Sequence, residues 1–204
     1  MRPNLTKSGL NAAISAYEQW VDTQIEVPYN ERKKAVFIDS GKVMHCGKGC
    51  TRCCELLVTI CSPDALRIGR FLKDKGMDTP ELRHWLREDT EFLYALAKEH
   101  KTDDKISEAY VSKHRPCRFL KDGGCSIYEA RPVVCRIFNS LEPAEKCMGE
   151  NRNTVERLRA DDLKEMAGHR GAMFANMSWT PEQGVLSEMV LWALEAWDWM
   201  EAKS

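Results

Sequence analysis

The sequence predicts a mainly α fold: an irregular helical domain in which two cysteine-bearing loops and a small β-hairpin converge on a metal centre. Three observations carry that expectation. The same proline-led start signal recurs before three helix candidates, cysteines crowd into two glycine- and charge-rich segments, and the apolar residues outside them fall mostly at helical spacing. With 204 residues, 43% of them hydrophobic and 30% charged, the chain is long enough to bury a core without covalent or metal staples. Its cysteines therefore need another explanation.

The elements follow in order. Residues 9–25, "GLNAAISAYEQWVDTQI", carry Leu10, Ala13, Ile14, Tyr17, Trp20 and Val21 on one helical face and predict an opening helix. A second, short helix is expected over "ERKKAVFID". Residues 41–54 form a glycine-containing loop that holds most of "HCGKGCTRCCE", and "ELLVTI" after it is a strand candidate rich in β-branched residues. Ser62-Pro63-Asp64, Thr79-Pro80-Glu81 and Thr180-Pro181-Glu182 each set a hydroxyl at N-cap, proline at N1 and an acid in the first turn. They predict helices over about 63–75, stopped by Gly76, about 80–100 and about 181–201, the last with Gln183 completing a capping box. "KEHKTDDK" (98–105) is a solvated helix end. Within residues 115–138, Asp122-Gly123-Gly124 between short apolar runs predicts the hairpin. A further helix is expected over 153–167, ended by Gly168. Trp192, Trp197 and Trp199, with Val185, Met189 and Ala196, read mostly as the core stripe of the last helix, although Trp197 and Trp199 cannot both face the same way as Trp192. Residues 1–204 are expected to be one domain, with a cysteine core at about 41–150 and helical extensions on both sides.

Charge and hydropathy narrow the function classes. A net charge of −1 provides no general basic field for nucleic acid. The most apolar stretch, "GVLSEMVLWALEAWDWM", contains Glu188, Glu195 and Asp198 and is too short and polar to span a bilayer. No segment has the order of a secretory signal, so a cytoplasmic protein with reduced thiols is expected. Enzymatic activity and a protein partner are left open by these features.

The nine cysteines are the sequence's main chemical statement. Their odd number and the adjacent pair Cys53-Cys54 argue against a disulfide framework. Cys61 continues the apolar run before a helix and reads as a small buried hydrophobe. The other eight, Cys46, Cys50, Cys53, Cys54, Cys117, Cys125, Cys135 and Cys147, lie in loops and read as soft metal ligands. Two centres fit them: a [4Fe-4S] cluster with auxiliary thiols, which is preferred because C-x3-C-x2-C wraps a cubane, or two tetrahedral Zn²⁺ sites of four thiolates each. Either leaves a thiolate surplus of negative charge. Arg131 and Arg136, beside Cys135, are the candidates to balance it, and Lys42, Lys48, Arg52, Arg115 and Arg118 lie near other cluster cysteines. His45 and His114 lie close to cluster cysteines, but no His-Glu-x-x-His spacing for hydrolytic zinc occurs.

"GCSIYEARPVVCR" (124–136), preceded by "CRFL" (117–120) and "CTRCC" (50–54), resembles the zinc- or iron-chelating cysteine-cluster family named for its C-x-x-C-x-x-C-C signature. The resemblance spans about residues 46–147 and implies Cys50, Cys53, Cys54, Cys117, Cys125 and Cys135 as ligands. Cys46 departs by one residue of spacing, and Cys147 matches loosely. Better-understood members resemble flagellin lysine N-methylases. That implies, as an alternative to a redox or modification accessory, an S-adenosylmethionine-dependent protein-modifying enzyme with a [4Fe-4S] cluster. Cys46-x3-Cys50-x2-Cys53 also has the radical S-adenosylmethionine spacing, although Arg52 stands where an aromatic residue usually precedes the third cysteine. A zinc-stabilised interaction protein is the third expectation.

Overall fold

The computed structural model describes residues 6–47, 49–113, 115–147, 155–158, 160–175 and 183–203. The chain opens with a helical arm. Helix α1 (Lys7–Val21) is capped by Thr6, whose hydroxyl accepts from Gly9 N–H at 3.2 Å. It runs through a π turn (Asp22–Glu26) into α2 (Val27–Ser40). The π turn has a local cause. Pro28 has no N–H to return to the preceding turn, and the Val27 N–H reaches back five residues to the Asp22 carbonyl. The expected pair of separate helices is thus one continuous arm, closed by Gly41 in the left-handed region at φ 68°.

A loop and a 3₁₀ turn (Arg52–Glu55) lead to β1 (Thr59–Cys61), which is shorter than "ELLVTI". Helices α3 (Ser62–Asp74) and α4 (Pro80–Glu99) match their prolines, and Thr79 caps α4 by accepting from Leu82 N–H at 3.2 Å. The Ser62 hydroxyl is buried without a hydrogen bond, so it does not cap α3. Residues 98–105 hold the exposed end of α4, as expected, and also the start of a short helix, α5 (Asp103–Ser112). Asp103 and Asp104 occupy its first turn, and Tyr110 ties it to Leu93 and Leu96 of α4.

The hairpin pairs β2 (Leu120–Lys121) with β3 (Gly124–Cys125) around Asp122 and Gly123, both at positive φ. Helix α6 (Val133–Ile137) carries Cys135. The helix expected over 153–167 is corrected. Residues 155–158 are non-helical, with Arg157 bridged to Ser140, and α7 (Asp161–Ala175) starts at an acid pair and continues through Gly168. The Thr180-Pro181-Glu182 signal lies outside the described residues. Gln183 belongs to strand β4 (Gln183–Val185), which pairs antiparallel with β1, and α8 is Leu186–Glu201. The only sheets among the described residues are these two two-stranded ones. No helix among the described residues is long and apolar enough to cross a membrane.

The main core lies between α3 and α8, with Leu66, Ile68 and Leu72 packed on Val190, Leu194 and Trp197, and α1 adds Leu10 and Ile14. Phe119, Ile127 and Ala130 join the same cluster, which anchors the second cysteine segment to it. A second cluster sets Tyr17, Val21 and Ile25 of the arm against Val133 and Ile137 of α6 and Leu163 of α7. Trp197 is buried, and its indole N–H donates to the Leu66 carbonyl at 3.1 Å. Polar groups join the C-terminal ends of α3 and α8 to the start of α4. Asp78 meets Arg83 at 2.6 Å and Lys73 at 3.2 Å, and Asp198 meets Lys73 at 2.6 Å and Arg83 at 2.7 Å.

Two outcomes are expected from this packing. A Cβ on Gly69 would lie 2.9 Å from Trp197 Cδ1 and 3.2 Å from Ala193 Cβ. The alanine gain in helix propensity is about 1 kcal/mol, whereas overpacking against a hydrogen-bonded indole costs about 1–3 kcal/mol. Gly69→Ala is expected to lose about 1 kcal/mol net, lowering the melting temperature by about 2–4 °C in a thermal unfolding experiment. The Asp78 carboxyl is held below the ordinary aspartate range, first by hydrogen bonds from Arg83. Its folded pKa is depressed, so its contribution is complete above about pH 5 and is lost as pH falls through the aspartate range, where the unfolded chain takes the proton first. Urea unfolding of Asp78→Asn should show lower stability at pH 7 and a shallower decline between about pH 5 and pH 3.

Candidate metal centre

Several local devices deliver the cysteines. Cys46 and Cys50 lie on the loop after α2, where the Cys50 N–H closes a turn on the Gly47 carbonyl at 3.0 Å. Gly49, between them, sits at φ 95°, a backbone state that side chains resist. Cys53 and Cys54 ride the 3₁₀ turn, Cys125 ends the hairpin, Cys135 is on α6, and Cys147 ends a 3₁₀ turn (Ala144–Cys147).

Two main-chain contacts draw the segments together. The Cys117 N–H donates to the Cys54 carbonyl at 2.7 Å, joining the halves across the hairpin side. On the other side the Ser140 N–H donates to Cys46 Sγ at 3.1 Å, and the Ser140 carbonyl accepts from His45 N–H at 3.1 Å. All nine cysteines are free thiols, with Cys147 buried and the others half-buried. Among the described residues, no three His, Cys, Asp or Glu side chains are grouped as a set that could hold a metal ion.

The electrostatics single out Cys53. Cys46 is raised by burial and also feels Cys50, Cys147 and Cys53. Burial pushes Cys117 up to about 11 and lifts Cys125, and both feel Cys53. Cys135 is driven well up, by burial first and then by Cys53, Cys117, Cys125 and Asp64. The adjacent pair behaves as a unit. The two neighbouring thiols share a proton, which lowers Cys53 and raises Cys54. Arg131 and Arg157 also favour the Cys53 thiolate. Thiols that resist ionisation are the kind of group that a soft cation stabilises as thiolates.

The remaining candidates are distributed unevenly. Arg131 lies 4.0 Å over the Tyr128 ring within reach of Cys53's charge, and Arg136 donates to the Arg131 and Glu129 carbonyls at 2.9 and 2.8 Å. Arg136 also pairs with Glu26 of the π turn. Lys42 pairs with Glu156, Arg115 with Asp89, and Arg52 and Arg118 are exposed. Lys48 and His114 lie outside the described residues, and His45 is exposed. Cys61 stands apart. Burial pushes it up to about 12, its thiol meets the Tyr17 hydroxyl at 3.6 Å, and a Cβ on Gly171 would lie 2.8 Å from its Cβ. Beside Cys53 and Cys135 a cleft of about 230 Å³ opens between Leu57, Val134 and Phe138, with Lys164 at its edge. Arg157, Ser140 and Asp64 escaped the sequence reading, because each reaches the centre only through tertiary packing.

Residues 45–162 match the CxxCxxCC family, described as a "putative zinc- or iron-chelating domain". This chain belongs to that family. The match runs over more than half of the chain, from His45 to α7, and takes in all eight loop cysteines. No curated protein and no solved structure matches the chain. As a CxxCxxCC member, the chain is a metal-binding protein of the zinc- or iron-chelating kind. Both helical flanks, α1 and α8, lie outside the family segment.

In the metal-free chain Cys53 is expected to be the fastest thiol to alkylate, because the thiolate is the nucleophile. Its labelling by iodoacetamide should rise at lower pH than that of Cys54, Cys117 and Cys135, as followed by peptide mass spectrometry. Equal rates at all four sites would contradict the shared-proton pair.

Proposed function

We propose that this chain binds a polynuclear metal centre gathered around Cys53, with Cys46, Cys50, Cys53, Cys54, Cys117, Cys125, Cys135 and Cys147 as its donors. One observation carries the proposal: thiols of both cysteine segments, Cys46 from the first and Cys117, Cys125 and Cys135 from the second, lie in the field of Cys53. A single tetrahedral ion takes four thiolates. Eight loop cysteines are more than one such ion needs, which suits a centre of more than one metal atom. The centre we assign is a [4Fe-4S] cluster with auxiliary thiols, and its role is that of a redox or protein-modification accessory. When bound, such a cluster supplies one-electron transfer, with a potential tuned by hydrogen bonds to sulfur and by solvent access.

The chain's own residues prepare that setting. Ser140 N–H is already a donor to Cys46 Sγ, and Arg131 and Arg157 offset negative charge at Cys53. The cleft beside Cys53 and Cys135 has apolar walls at Val134 and Phe138. Two tetrahedral zinc sites would use the same donors, with Cys53 at their boundary.

Anaerobic purification followed by metal analysis and absorbance tests the assignment. A brown protein with about four irons per chain is expected, from the thiolate ligation of a cubane. Cys53→Ser should lose the metal and the visible band, while Cys61→Ser should keep both. Stoichiometric zinc without visible absorption would replace the iron assignment, and a chain that takes up neither metal would sink the proposal.

A further inference from the structure

Asp64 and Arg67 are three residues apart on α3, so they share one helix face. That face is inside the protein: the two residues are 2% and 3% exposed. A buried ion pair contributes little net stability unless its remaining polar atoms are all satisfied. Here Asp64 Oδ1 and Arg67 Nη2 are 3.6 Å apart, and Oδ1 and Arg67 Nε have no hydrogen-bond partner. Helix α3 itself gains little from such a pair, so its placement calls for a use elsewhere.

The pair's hydrogen bonds to main chain go to a single stretch. Asp64 Oδ2 accepts from Val133 N–H at 2.9 Å, at the first residue of α6. Arg67 Nη2 donates to the Ala130 carbonyl at 2.9 Å and to the Arg131 carbonyl. Pro132, between these points, has no N–H of its own. Arg136 grips the outer side of the same turn through the Glu129 and Arg131 carbonyls. The held segment joins Cys125 to Cys135, and the Cys135 N–H closes on the Pro132 carbonyl at 3.0 Å. Fixing residues 130–133 therefore fixes the direction in which α6 presents Cys135.

We propose that Asp64 and Arg67 are positioning residues for the Cys135 thiol, holding the 130–133 turn so that Cys135 faces Cys53. The proposal rests on the metal-centre function given above. Its geometric half, the clamp on Cys135, is independent of which metal binds.

The test uses the full chain and three variants. Asp64→Asn keeps an oxygen for the Val133 N–H, Asp64→Leu removes it, and Arg67→Met removes the donors to the two carbonyls. Zinc and cobalt affinities are measured by chelator competition, with the thiolate-to-cobalt band as the spectroscopic signature. Iodoacetamide labelling of Cys135 relative to Cys117 is measured without metal. Asp64→Leu and Arg67→Met are expected to weaken metal binding by about 10–100-fold, the range found for groups that orient ligands. They should also diminish the cobalt band and accelerate Cys135 labelling with little change at Cys117. Asp64→Asn should restore most of each, which also covers a leucine variant that fails to fold. Cys135 and Cys117 labelling rising together would mean general loosening and would overturn the proposal, as would unchanged labelling in folded variants. If the parent chain binds neither zinc nor cobalt but Cys135 alone is released, the clamp stands and the metal function falls.

Discussion

The first eight residues of α3, Ser62 to Gly69, are all buried. A helix enclosed on every side sets the position of each neighbour, because close-packed interiors leave little room for adjustment. Helix α8 packs along one face, where Gly69 admits the Trp197 indole, and α1 covers a second through Leu10 and Ile14. The polar face at Asp64 and Arg67 carries the main chain of the second cysteine segment. Immediately before α3, strand β1 connects it to the turn that bears Cys53 and Cys54. One helix thus fixes the relation between thiols that lie far apart in sequence.

What that framework gathers is an electrostatic problem. Burial and mutual repulsion lift Cys46, Cys117, Cys125 and Cys135, while a hydrogen bond from Cys54 and nearby arginines lower Cys53. The thiols are thus unequal: Cys53 ionises more easily than an ordinary cysteine, and Cys46, Cys117, Cys125 and Cys135 less easily. On the proposed metal-binding reading, a bound cation would offset the cost of ionising the raised thiols.

The sequence revealed those parts of the fold that depend on local stereochemistry. Pro63 and Pro80 mark true helix starts because proline restricts the chain whatever surrounds it, and Asp122-Gly123 turns the hairpin for the same reason. The metal-binding family was legible in its cysteines and in the phrase around Tyr128 and Arg131. Failures came where distant partners decided. Residues 155–158 lose a helical pattern to the bridge between Arg157 and Ser140, and Gln183 leaves its expected helix to pair with Cys61 in β1. Short α5 was masked by its charges, since its apolar anchor, Tyr110, finds partners only in α4. Asp64 was legible merely as an acid in a first turn, a role that conceals its bond to Val133.

The family segment ends well inside the chain, yet the principal core does not respect that border. Residues 45–162 contain α3 but neither α1 nor α8, whose side chains enclose it. A segment cut at the family limits would keep every loop cysteine and expose Leu66, Ile68 and Leu72 to water. Cysteine pattern and cohesive unit therefore have different edges in this protein: the motif is portable as text, but its shelter is assembled from the flanks. Relatives carrying the same cysteines between unlike flanks must enclose the equivalent helix by other means.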